Sequence, residues 1–138
     1  MATTTATITI NSADLLSDEL ALASTTTLTK AGTSTGVEHT TGLARKVVTA
    51  TSKGASGEAT LYTADEFAAC AYLYIKNTDT TAGNFIFVYD DTTSGDPVWL
   101  KLDQGDWAFM PLIADKTLKA YATTNPTTIE FMVLGTDQ

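Results

Sequence analysis

One histidine and one cysteine are the only imidazole and thiol this chain can bring to a reaction. His39 stands beside Glu38 in a polar stretch. A Ser-His-Asp relay built on it would need a nucleophile presented on a strand-to-helix elbow, and none is predicted around the serines. One His and one Cys cannot supply the four N or S donors of a closed zinc site. Asp90, Thr92 and Ser94 alternate before Gly95 like the first ligands of a calcium loop. Lys101 then stands where that loop requires a bidentate Glu, so Asp, Ser and Gly read instead as a capped turn. Cys70, in an apolar run, reads as a small core residue. No catalytic, cofactor-binding or metal-binding residue is assigned, no cofactor is expected, and the chain does not read as an enzyme.

What remains are aromatic side chains. Trp99, Trp107, Tyr72, Tyr74 and Tyr89 have the ring faces on which pyranose CH groups stack, and Asp103, Gln104 and Asp106 offer polar neighbours. The same rings serve as core or as contacts between subunits, the commoner use of aromatics beside a tight turn. In WLKLDQGDWAFMPL (residues 99–112), DQGD turns the chain either within one hairpin or at a corner between two sheets. Alternation sets Trp99 and Lys101 against Leu100 and Leu102, then Trp107, Phe109 and Pro111 against Ala108, Met110 and Leu112. Packing at the end of a core is the expected role of these rings. Pro111 lacks a ladder donor, which places its strand at an edge.

The elements that must position these residues are strands. Residues 6–10 alternate Ala6, Ile8 and Ile10 against Thr7 and Thr9, and residues 19–28 do the same with Leu20, Leu22 and Leu28. Further strands are expected at 43–51, 59–62, 69–76, 85–89, 98–102, 117–123 and 128–134. Ser12 offers an N-cap for one helical turn, and Thr63 with Glu66 has the spacing of a capping box for another. Residues 31–41, small and polar, predict a loop. About nine strands, one or two short helical turns and 28 threonines in 138 residues read as an all-β protein, a single β-sandwich of jelly-roll type. Residues 1–10 form an N-terminal strand or arm and 11–138 the sandwich. The arm either pairs within its own sandwich or adds to a neighbour's sheet edge.

The net charge of -8, with Lys and Arg scattered singly, excludes nucleic acid as a partner. No apolar run reaches 18 residues and the start lacks a signal-peptide pattern, so no membrane association or export is expected.

YLYIKNTDTTAGNFIFVYD (72–90), WLKLDQGDWAFMPL (99–112) and TLKAYATTNPTTIEFMVLG (117–135) resemble, in order, a pattern of small virion proteins of tailed bacteriophages. The pattern is a strand ending in an I-K-N-T turn, a second strand, an L-x-x-G-[DE]-[FW]-x-x-x-P corner and a last hairpin ending in an apolar strand. The resemblance covers residues 72–135. It implies a non-enzymatic structural component of the virion, made in the host cytoplasm, with a capsid decoration or cement subunit as the first expectation. A tail or head–tail adaptor component, or a carbohydrate-binding module, is the alternative. The expected partners are the major capsid protein and further copies of the chain, a trimer by lattice geometry. Ile8, Ile10, Tyr72, Tyr74, Trp99 and Trp107 are the candidate contacts.

Overall fold

The alternation of apolar and polar residues resolves, in a computed structural model, into antiparallel strands throughout. The structure describes residues 3–12, 20–29, 39–67, 70–92, 95, 97–113, 115–124 and 126–135. Among these are eleven strands and no helix: β1 (Thr3–Ser12), β2 (Leu20–Thr29), β3 (His39–Thr40), β4 (Ala44–Val48), β5 (Ala59–Tyr62), β6 (Cys70–Asn77), β7 (Ile86–Asp90), β8 (Val98–Leu102), β9 (Trp107–Ile113), β10 (Leu118–Ala122) and β11 (Thr127–Gly135).

β1 and β2 form a two-stranded ribbon. The other strands make a four-stranded sheet, β5-β10-β7-β8, and a five-stranded sheet in which β3 and β4 lie along one side of β11, followed by β6 and β9. Four antiparallel pairs are nested in the chain, β7–β8 innermost, then β6–β9, β5–β10 and β4–β11. Successive pairs fall alternately in the two sheets, so one long double strand is rolled on itself. The inward positions of both sheets share one core: Leu73, Ile75, Ile129, Phe131 and Val133 from one, Leu61, Ile86, Val88, Leu118 and Ala120 from the other. Branched aliphatics at every second residue make this possible, because strand side chains alternate between faces. On the side where β4 and β5 end the two sheets, Lys46 lies over the Phe131 ring, and its ammonium donates to the Thr60 carbonyl (3.2 Å).

The opposite end is pinned by a buried amide. Asn77 is fully buried at the end of β6. Its Nδ2 donates to the carbonyls of Asn84 (2.7 Å) and Leu102 (3.3 Å), and its Oδ1 accepts the Asp79 N–H (3.1 Å). Its main chain holds the corner between β8 and β9: Asn77 N–H donates to the Asp106 carbonyl (2.9 Å), and Gly105 N–H donates to the Asn77 carbonyl (3.1 Å). Gly105 turns there with φ of 75°, in the left-handed region that glycine enters without steric cost. Thus DQGD is a corner between sheets, and one side chain ties both sheets and the 78–84 turn together. Asp79 closes that turn by accepting Thr81 N–H and Asn84 Nδ2 (2.8 and 3.1 Å), bonds that hold its carboxyl below the usual range.

Several expectations change. The turn at residues 63–66 closes with Glu66 N–H donating to the Thr63 carbonyl (3.2 Å), but Asp65 adopts φ of 62°, which ends any right-handed helical course. The helical turn expected after Ser12 lies outside the described residues. The expected loop at 31–41 ends in β3, which pairs Thr40 with Leu134 and His39 with Gly135. The N-terminal strand runs to Ser12 and pairs with β2, in neither sheet of the sandwich.

Residues 49–58 cross the outer face of the four-stranded sheet as a strap. Thr49 and Ala50 N–H groups donate to the Gly57 carbonyl. Glu58 Oε1 accepts both the Gly54 N–H and the Tyr89 hydroxyl, each at 2.7 Å. Lys53 Nζ lies 5.5 Å from the centre of the Tyr89 ring, and Tyr121 meets that ring edge-on. Tyr89 is thereby fully buried on the outside of its sheet.

Two outcomes are expected. Asn77→Ala leaves the Asn84 and Leu102 carbonyls and the Asp79 N–H without partners, and urea denaturation should show a loss of about 2–4 kcal/mol. Burial, then the hydrogen bond and charge of Glu58, raise Tyr89 above the usual tyrosine value. A group that holds its proton more tightly when folded adds stability that is present below the unfolded value, about pH 10, and is lost as pH rises past it. Denaturation midpoints followed from pH 8 to pH 12 should therefore fall at the alkaline end. Tyr89→Phe should flatten that fall and cost about 1.5–3 kcal/mol at neutral pH.

Candidate interaction surface

Among the described residues no such strap crosses the outer face of the five-stranded sheet, although Leu134 on that face is buried. Register lines its residues into rows. Leu134, Tyr72 and Pro111 form one row across β11, β6 and β9; Met132, Tyr74 and Phe109 the next; Glu130, Lys76 and Trp107 the third. Arg45 stands beyond Glu130 on β4, and Val47 beyond Thr128. Two rows are apolar or aromatic and the third is charged except for its tryptophan. Leu43, Val47 and Trp107 are 61%, 58% and 56% exposed, and Pro111 is exposed as well. Tyr72, Tyr74, Phe109 and Met132 are half-buried.

The rings are ordered by their own contacts. Tyr72 stacks on Phe109 with centroids 5.7 Å apart and planes within 7°. The Tyr74 hydroxyl donates to Glu130 Oε1 (3.3 Å), and Arg45 holds Glu130 Oε2 through Nε (2.9 Å) and Nη2 (2.8 Å). Burial first, and then Glu130, raise the Tyr74 hydroxyl above its usual value, so it remains a neutral donor. Two of the three rows of this surface are apolar or aromatic, and its Glu130 carboxylate is already paired. Exposed apolar patches on folded domains are where contact sites are sought first.

The two tryptophans separate. Trp107 projects from the charged row, against the expectation that it fills the core: after the corner, odd-numbered positions of β9 face outward. Trp99 lies on β8 in the other sheet. The β7–β8 register slips between Val88 and Tyr89, so Trp99 is the extra residue of a bulge and packs on the core beside Leu100. Simple alternation, which groups Trp99 with Lys101, has no signal for that bulge. Ile8 and Ile10 are in β1, in the ribbon and apart from this surface in sheet topology; their side chains lie outside the described residues. The side chains of His39 and Cys70 lie outside them also.

The polar neighbours considered for a sugar are partly committed to the corner. Asp106 Oδ2 accepts the Asp103 N–H (3.0 Å), and Asp103 Oδ1 accepts the Gln104 N–H (2.7 Å). Asp90 and Thr92, of the supposed calcium loop, bond to each other through the Thr92 N–H (2.8 Å) and hydroxyl. Sequence reasoning missed the strap, which buries Tyr89 on the outer face of its sheet while Phe87 and Tyr121 beside it stay half-buried. It also missed Met132, Phe109 and Val47, whose alternation in strands 107–113, 127–135 and 44–48 was the available signal.

Trp99→Ala should cost about 2 kcal/mol and Trp107→Ala less than about 0.5–1 kcal/mol in urea denaturation of the isolated chain. The exposed ring contributes little until something covers it. The chain matches no family model, no curated protein and no solved structure.

Proposed function

We propose that this protein is a non-enzymatic structural component of a tailed-phage virion, a decoration or cement subunit of the head lattice. The observation that carries this reading is the aromatic outer face of the five-stranded sheet, where Tyr72, Tyr74 and Phe109 are half-buried and Val47 and Trp107 exposed. In this reading the rings Tyr72, Tyr74 and Trp107 supply the adhesive side of a lattice subunit. The fold supports the reading at the level of analogy. Strand order β4-β11-β6-β9 against β5-β10-β7-β8 supports reading the sandwich as a jelly roll, an architecture used by viral capsid and lectin domains. The segments that resemble phage virion proteins are β6 to β11 with the Asn77 and Gly105 corner between them.

The partners in this reading are the major capsid protein and further copies of the chain in a symmetric oligomer, a trimer by lattice geometry. Synthesis would be in the host cytoplasm, with neither nucleic acid nor membrane as a partner. Trp107, exposed beside Gln104, favours a second reading as a carbohydrate-binding module.

Quantitative mass spectrometry of purified virions tests the assignment. A head-lattice subunit should be present on the order of hundreds of copies per particle. A dozen or fewer would move it to the tail or adaptor, and absence from virions would overturn the assignment. Quenching of Trp107 fluorescence by a panel of glycans, lost in Trp107→Ala, would establish the carbohydrate reading instead.

A further inference from the structure

One row on the outer face of the five-stranded sheet reads, from β4 to β9, Arg45, Glu130, Lys76 and Trp107. Its groups are unequally satisfied. Arg45 and the Tyr74 hydroxyl take the Glu130 carboxylate, whereas Lys76, directly beside Glu130 in register, has no hydrogen-bond, ion-pair or ring partner among the described residues. The Arg45 side chain is 72% exposed and Trp107 56%. The next row, Met132, Tyr74 and Phe109, is apolar apart from one hydroxyl, and alternation adds Leu43, which is exposed, at its β4 end.

The order of charges along the first row makes this face complementary to itself. A twofold axis laid parallel to the strands, between β11 and β6, sets β4 of one copy against β9 of the other and β11 against β6. Each Glu130 then faces Lys76 of the second copy, and each Arg45 faces the Trp107 ring of the second copy. In the next row Met132 meets Tyr74, and Leu43 meets Phe109. A carboxylate has about four acceptor sites, so Glu130 can take a second ammonium without releasing Arg45 or Tyr74. The other in-plane axis, across the strands, keeps each strand over its own copy. Glu130 then meets Glu130, or the charged row meets rings and loses water without gaining partners.

We propose that two copies of this chain pair through the β4-β11-β6-β9 face about the axis parallel to the strands, with Lys76 on Glu130 and Arg45 over Trp107 across the interface. Aligned face-to-face packing of two sheets is an ordinary arrangement. At about 3.3 Å per residue and 4.8 Å between strands, β3, β4, β11, β6 and β9 present about 490 Å² per copy, or about 980 Å² over both. Setting aside the end at Leu134, which is already buried, lowers the total to about 860 Å². That is the low end of specific interfaces and fits a reversible pair of micromolar affinity. The ion pairs fix orientation more than they add affinity, and the cation–π contacts and ring burial hold the copies together. A second copy covers all four strands at once and brings both the carboxylate for Lys76 and the guanidinium for Trp107. A neutral sugar on Trp107 brings neither.

The proposal rests on the preceding reading only in taking this face to be an interface, and it sets the copy number at two. Sedimentation equilibrium of the full chain at about 200 μM tests it, in about 0.15 M salt to screen repulsion between two chains of charge -8. The unsubstituted protein should sediment as two copies in exchange with one. Lys76→Glu sets carboxylate against carboxylate and Glu130→Lys sets ammonium against ammonium, so each alone should pair about tenfold or more weakly. Mixed in equal amounts, the two variants recover both opposite-charge contacts and should regain a two-copy complex. Trp107→Ala should weaken pairing about tenfold, and Ser52→Lys, on the strap over the other sheet, should leave it unchanged. Near-UV circular dichroism checks that each variant keeps its sandwich; if Glu130→Lys loses it, Lys76→Glu and Trp107→Ala decide. The proposal is overturned by an unsubstituted protein that is monomeric or forms three copies, or by a Lys76→Glu or Trp107→Ala variant that pairs as tightly as the parent. Folded charge variants whose mixture stays monomeric, or a Ser52→Lys variant that falls apart, overturn it equally. A monomer that is still present in virions in hundreds of copies sinks this inference alone, whereas a pair absent from virions sinks the virion assignment alone.

Discussion

The structure depends on one satisfied amide. A buried asparagine is costly unless each of its polar atoms finds a partner. Asn77 meets that condition by drawing carbonyls from the 78–84 turn and from β8 to its nitrogen, and a turn N–H to its oxygen. Aliphatic burial makes the two sheets adhere but leaves them free to slide, because it has no direction. Directed bonds at one end set the relative position of β6 and β8, and hence of the corner and of β9. The rows of the aromatic face inherit their alignment from that corner.

The two outer faces carry similar rings and differ in the polar groups that meet them. Phe87, Tyr121 and Tyr89 stand on one sheet, and Tyr72, Tyr74 and Phe109 on the other. On the first, Lys101 and Lys53 lie over the Phe85 and Tyr89 rings, and Glu58 accepts the Tyr89 hydroxyl, so the polar capacity of the surface is used within the chain. On the second, Arg45 and Glu130 neutralise each other and the rings are left half-open. Cation–π contacts and the hydrogen bond of Glu58 cover Tyr89 without a partner protein, while Phe87 and Tyr121 stay half-buried. Where they are missing, rings in water gain most from another apolar layer.

Period-two alternation made much of this legible from residues alone. β2, β5, β6, β7, β8, β10 and β11 fall within one or two residues of the expected spans, since a strand with one buried face must alternate. The corner at DQGD was readable as a turn, but its choice between hairpin and sheet-crossing depended on Asn77, whose partners lie 7 and 25 residues away. Trp99 was misplaced because a bulge has no periodic signature. The strap over Tyr89 was invisible for a related reason: SKGASGE is a flexible turn by composition, and only the Glu58 carboxylate reaching a hydroxyl 31 residues on shows what it covers. Of the proposed contact residues, Tyr72, Tyr74 and Trp107 share one face, and the alternation that places them was present in the chain from the start.

The nested pairing also governs how the molecule comes to be. β7 and β8 are near neighbours along the chain, whereas Arg45 and Glu130, joined across the outermost pair, are 85 residues apart. Loop closure over such distances must precede any gain from the contacts it enables, so acquisition of structure proceeds from the inner pair outward and is slow for a domain of this size. Until β11 is seated between β4 and β6, its neighbours present unsatisfied edges. Copies made close together are then exposed to mutual entanglement until the roll closes and each of those edges is paired.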